Sequence, residues 1–223
     1  LNTIVADVLE SFADRLENAE DFTTELNTIL HDSYHKHKRI VFNGDGYTDA
    51  WVKEAEKRGL LNLPSTAEAL PYYARPENVK MFEHHGVRTG DEVRSRCEIQ
   101  LENYCKQLHI EALTMVDMLR KQILPAASKY LSVLGSTITT TQAACPKAKC
   151  QYEKDTMEKL SSLIDSLYKE TGILETDIAN EESKAGDIEK QAHYVRDTLF
   201  VQMEKTRAIA DQIEPMVDKA LWP

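Results

Sequence analysis

The chain has 223 residues, 42% of them apolar, enough for one large domain or two small ones burying about 70% of the unfolded chain's surface. Twenty-seven basic against thirty-seven acidic residues leave a formal charge of -10, a balance that repels phosphate backbones and anionic lipid and so excludes nucleic acid and membrane surfaces as expected partners. No apolar run approaches the ~20 residues that span a bilayer, no secretory signal opens the chain, and Cys97, Cys105, Cys145 and Cys150 are too sparse for a disulfide framework, so a cytoplasmic protein is expected.

Leu1, Ile4, Val5, Val8, Leu9, Phe12 and Leu16 recur at three- and four-residue steps, which is an amphipathic helix already periodic at its first letter. The chain therefore reads as a piece of something longer, and the apolar face of this helix must fold back on the bundle or pair with another copy. A second helix is expected from about Thr23 to Lys36, followed by "RIVFNGDGYTDAW" and a short helix ending at Gly59, where a left-handed residue suits glycine. Ser65 with Glu68, and Thr89 with Glu92, fit the capping box, in which hydroxyl and carboxylate each satisfy an orphan amide. Pro76 suits the first position of a helix that Gly86 would end.

From Thr89 the stripe Val93, Cys97, Leu101, Tyr104, Leu108, Ala112, Met115, Leu119 and Ile123 keeps the helical step for over thirty residues. Between Ile110 and Leu124 it is apolar on most sides, which predicts a helix enclosed by neighbours. Pro125 should kink it. Helix is expected to resume through Leu134, and "GSTITTTQAACPKAKC", residues 135 to 150, is expected as a loop or internal boundary. Beyond Cys150, Met157, Leu160, Ile164, Leu167, Thr171, Leu174 and Ile178, then Ala185, Ile188, Ala192, Val195, Leu199, Ile209 and Ile213, mark a heptad-like seam. Gly186 followed by Asp187 offers a break and a cap, so residues 151 to 213 read as a long antiparallel hairpin. The expected class is all-α, a helical bundle with that hairpin at its C-terminal end.

Candidate sites are few. "FNGDGYTDAW" lacks the third glycine and the strand that a dinucleotide loop needs. Asn43, Asp45, Asp49 and Glu54 stand at calcium-loop spacings, yet Thr48 replaces the turn glycine and Tyr47 occupies a ligand position. The simpler reading is a tight turn permitted by Gly44 and Gly46, closed by Thr48 or Asp49 as a helix cap. His31 and His35 have zinc-pair spacing, with His37 near, but Lys36, Lys38 and Arg39 would oppose a cation; His84 and His85 are expected to serve a helix C-terminus. Cys145 and Cys150 read as two ordinary thiols. No nucleophile motif or phosphate-binding loop is present, so the expectation is no catalytic, cofactor-binding or metal residue in this chain.

"LNTIVADVLESFADRLE", "HKRIVFNGDGYTDAWVKEAEKRGLLNLPSTAEALP", "IEALTMVDMLRKQILPA" and the terminal "VDKALWP", in that order, resemble the C-terminal region of type III glutamine synthetases. The segment from Gly135 to Cys150 departs from that pattern. The resemblance implies an ATP-dependent ligase joining ammonia to glutamate through a phosphorylated side chain, with ATP and Mg2+ or Mn2+ held upstream of Leu1, in a large oligomer. It implies that residues 1-20 are the last helix of the parent's catalytic domain and 21-223 a C-terminal helical domain, non-catalytic, inactive alone, and serving packing against the catalytic domain and neighbouring subunits. The alternative is a stand-alone helical adaptor whose hairpin recruits a partner helix.

Overall fold

A computed structural model describes residues 1-183 and 186-223, and every regular element among them is helical, with no strand. The chain divides into two compact units, Leu1–Ile99 and Gln100–Pro223.

The first unit is a set of short helices whose ends are fixed by side chains. Helices α1 (Asn2–Glu17) and α2 (Phe22–His37) form a pair, with Asp21 capping α2 through bonds from the Thr23 amide at 3.0 Å and the Thr24 hydroxyl at 2.8 Å. Arg15 of α1 donates to Glu25 of α2 at 2.6 Å. Helix α3 (Asp49–Lys57) ends on Gly59 at φ +70°, and α5 (Pro76–His84) on Gly86 at φ +60°. In both, the following amide reaches back five residues, Leu60 to Ala55 and Val87 to Phe82, at 2.9 Å, which closes the helix end on a left-handed residue as the sequence suggests. The box of Ser65 and Glu68 opens α4 (Thr66–Tyr73), and that of Thr89 and Glu92 opens α6 (Gly90–Met118). The buried apolar side chains are mostly small: Ile29, Ala55, Ala67, Val79, Val93 and Cys97.

The second unit takes the rest of α6, then α7 (Leu124–Ala144), α8 (Gln151–Glu182), α9 (Ile188–Tyr194) and α10 (Val201–Ile213). Between α6 and α7, residues Leu119–Ile123 form a π-helical turn. Pro125 therefore follows a widened turn, where its absent amide is accommodated by rearranged bonding, and the helix passes it without a break.

Residues 135 to 144, expected as part of a loop, are instead the last ten of α7. The threonine hydroxyls that lower helix propensity bond back to carbonyls four residues earlier, Thr137 to Val133 at 2.9 Å, Thr139 to Gly135 at 2.9 Å and Thr140 to Ser136 at 2.8 Å. Packing of α7 on α8 overrides the weak local preference. The true turn is short, from Cys145 to Cys150, and Cys150 adopts a left-handed φ of 48°.

Helix α8 has 32 residues, roughly 48 Å at ~1.5 Å per residue. Much of the expected seam is buried, Leu160, Leu167, Thr171, Leu174 and Ile178 on α8 and Ala192, Val195, Leu199 and Ile213 on the returning arm, whereas Met157, Ile164, Ile188 and Ile209 are half-buried. Asp187 caps α9 by accepting from the Lys190 amide at 3.2 Å. Ala185, assigned to the seam from sequence, lies outside the described residues. Thr171 and Thr206 enter the core without an orphan hydroxyl, because each donates to a carbonyl four residues back. Leu221 and Trp222, from the terminal "VDKALWP", pack on the cluster of Leu119, Leu160, Leu167 and Ile213. The stretch Ile110 to Leu124 is not enclosed: Ile110, Leu113 and Met118 remain exposed.

Candidate functional site

The loop that most resembles a binding motif turns out to organise aromatic rings. Neither Gly44 nor Gly46 takes a left-handed φ. A Cβ on Gly44 would lie 2.6 Å from Cζ of Phe42, so glycine there makes room for that ring. Phe42 stacks on Trp51 with centroids 4.2 Å apart, and the Arg58 guanidinium lies 5.6 Å from the Trp51 ring. Arg58 also donates to the Val41 carbonyl at 2.8 Å and to Glu54 at 2.7 Å, which ties the loop to the far end of α3. Arg58 holds the Glu54 carboxyl below the usual glutamate range.

Two of the four side chains at calcium-loop spacing have other occupations. Asp45 accepts from the Tyr47 amide at 2.9 Å, an Asx-type turn, and Glu54 pairs with Arg58. Thr48 occupies the cap position of α3, but its hydroxyl donates backwards to the Asp45 carbonyl at 2.9 Å instead of capping the helix.

Two histidine pairs were legible in sequence, and their surroundings differ. His31 and His35 stand 5.9 Å apart by ring centroid on the exposed side of α2, with Asp32 3.4 Å from His31. His84 and His85 do more than terminate α5. His84 Nε2 lies 2.6 Å from Glu10 Oε2, and His85 Nε2 lies 3.1 Å from Asp7 Oδ1, both on α1. Among the described residues, Glu10, His84 and His85 are the one set of three such side chains whose donor atoms could share an ion. Glu10, accepting its hydrogen bond, raises the His84 pKa above the ordinary imidazole value. No local pattern marks this meeting, because Glu10 and His84 are 74 residues apart.

The apolar stripe of α1 is only partly covered. Phe12 and Leu16 are half-buried against the unit, whereas Leu1, Ile4, Val5, Val8 and Leu9 are 43% to 98% exposed, and no residue of the helix is buried.

In the second unit an open groove of about 640 Å³ runs beside the exposed part of α6, lined by Ile110, Met115, Met118, Phe200, Met203 and Trp222 and edged by Glu111, Glu204, Asp211 and Glu214. Deeper in that unit, Glu181 is buried and accepts from His109 Nδ1 at 2.6 Å and Gln191 Nε2 at 3.0 Å. Nothing local marks this glutamate among the many of the hairpin. Cys97 and Cys105 are buried, and burial pushes the Cys105 thiol up to about 11; Cys145 is exposed and Cys150 partly so. No helix among the described residues is long and apolar enough to cross a membrane.

Comparison with known proteins agrees with the motif resemblance. Residues 25–142 match the sequence model described as glutamine synthetase C-terminal domain. The chain is 32% identical over 200 residues to a glutamine synthetase of Butyrivibrio fibrisolvens, covering 90% of this chain and 28% of that protein. It is 30% identical over 236 residues to a type-3 glutamine synthetase of Dictyostelium discoideum, covering 100% of this chain and 31% of the relative. A glutamine synthetase of Bacteroides fragilis is 24% identical over 198 residues, covering 87% of this chain and 27% of its own length. The chain thus spans under a third of the curated relatives it matches.

Proposed function

Since the chain belongs to the glutamine synthetase C-terminal domain family, we propose that it is the helical C-terminal portion of a type III enzyme and serves packing and assembly, while the ligation of ammonia to glutamate is carried by the remainder of the protein. The observation that carries this reading is the disproportion in coverage: nearly all of this chain aligns, against less than a third of each relative. ATP and Mg2+ or Mn2+ belong to that remainder, and no reacting group is assigned here.

The open stripe of α1 supports the same reading. Its leading apolar residues remain 43% to 98% exposed, and the family match begins at residue 25, after α1 has ended. We assign that face to the catalytic portion, with neighbouring subunits as further partners.

The complete enzyme carrying Val5→Asp with Val8→Asp tests the assignment. Size-exclusion chromatography with light scattering is expected to show a smaller or dissociated assembly, with glutamine formation reduced in step and helicity unchanged. An intact assembly of unchanged activity would overturn it. The groove beside α6 favours a second reading, a module that receives an amphipathic helix with basic flanks. Removal of residues 21–223 from the enzyme separates the two, since a purely recruiting module leaves assembly and turnover untouched.

A further inference from the structure

Four side chains of the first unit converge where the end of α5 meets α1. Asp7 and Glu10 lie three residues apart on α1, so their carboxylates project side by side. His84 is the last residue of α5 and His85 its cap. Both imidazoles turn Nε2 towards the carboxylates: His84 sits 2.6 Å from Glu10, and His85 sits 3.1 Å from Asp7 and 3.8 Å from Glu10. The two rings meet edge to face with centroids 4.8 Å apart.

We propose that Glu10, His84 and His85, with Asp7 as a fourth donor, bind one zinc ion that fastens α1 to the end of α5.

Zinc accepts imidazole nitrogen and carboxylate oxygen at about 2.0–2.2 Å, which places neighbouring donors of a tetrahedron roughly 3.3–3.6 Å apart. The separations of 2.6, 3.1 and 3.8 Å straddle that spacing, so side-chain rotation alone can meet it. The three donors of Glu10, His84 and His85 lie within 4.8 Å of one another without an ion. The donor set selects the metal class. Two nitrogens with carboxylates suit zinc and its late transition-metal neighbours, whereas magnesium and calcium demand oxygen throughout.

Charge also favours a cation here, since one dication balances both carboxylates. Among the described residues, Asp7 and Glu10 have no lysine or arginine within salt-bridge reach to do this instead. The structural benefit falls on α1, which buries none of its residues and meets α2 and α5 in part through ionic contacts.

Zinc titrated into the chelator-treated 223-residue chain, in competition with a chromophoric chelator, is expected to bind at one equivalent. His84→Ala and Glu10→Gln should each weaken binding by at least about tenfold. The combined change His31→Ala with His35→Ala should leave it unaltered. These side chains are largely exposed, and circular dichroism of each variant verifies that the helices persist. Hydrogen exchange should show α1 amides slowed by zinc in the parent chain and not in His84→Ala, and excess Mg2+ should not compete. The proposal is overturned by an absence of saturable binding, by binding that survives His84→Ala with Glu10→Gln, or by zinc binding that leaves α1 exchange unchanged.

Discussion

Residues Gln100–Pro223 bury leucine at positions 101, 119, 134, 160, 167, 174 and 199, whereas Leu1–Ile99 buries no leucine at all and relies on capped ends, glycine stops and a ring stack. The difference shows two ways of specifying a helical structure. A long seam gains from non-directional burial spread over many equivalent positions. Short helices cannot bury enough, and directional bonds at their termini decide where each one begins and stops.

The comparison predicts unequal responses to substitution. Leu167→Ala, at a fully buried seam position, should cost about 2–5 kcal/mol in urea unfolding. A value near that of a surface change would mean that the seam is not the principal support of its unit. Ser65→Ala removes a cap from α4 and should cost about 0.5–2 kcal/mol, detected as a lower midpoint for the first unit. Gly44→Ala forces the Phe42 ring away from Trp51 and should cost about 0.5–1.5 kcal/mol, accompanied by a change in tryptophan emission. If emission and stability both stay constant, the stack does not organise the loop.

The smallest effect sharpens the contrast from the opposite side, through a polar contact in the leucine-rich unit. Arg120 donates two bonds to Glu175, at 2.9 and 2.7 Å, and holds the glutamate carboxyl below its ordinary value of 4.5. A depressed folded pKa stabilises the fold fully above the unfolded value, and the contribution disappears as pH falls through the folded one. Arg120→Met should therefore be modestly less stable than the parent at neutral pH and converge with it in acid. Screening at this half-exposed pair keeps the difference small.

Helix starts, stops and the long seam were legible because they rest on local chemistry: Ser65 with Glu68, Thr89 with Glu92, Gly59, Gly86 and the leucine periodicity stood where the structure uses them. Residues 135 to 144 misled for the converse reason. Threonine lowers intrinsic helix preference, and the partner helix that compensates is distant in sequence. The openness of Ile110 and Met118 was equally hidden, since apolar composition reports what could be buried and not what a neighbour covers. The quoted loop was readable as a turn, but the reason for Gly44 was not, because it is the Phe42 ring and not the backbone angle that requires it. The meeting of α1 carboxylates with His84 and His85 is a long-range contact that no local pattern encodes.

The uneven placement of the four thiols has a practical outcome. Cys97 and Cys105 are sequestered, the latter also kept protonated, while Cys145 faces solvent and Cys150 is partly open at the turn joining α7 to α8. A maleimide dye added to the native protein should thus mark that one hairpin corner, giving a ready-made optical reporter whose attachment leaves both interiors undisturbed.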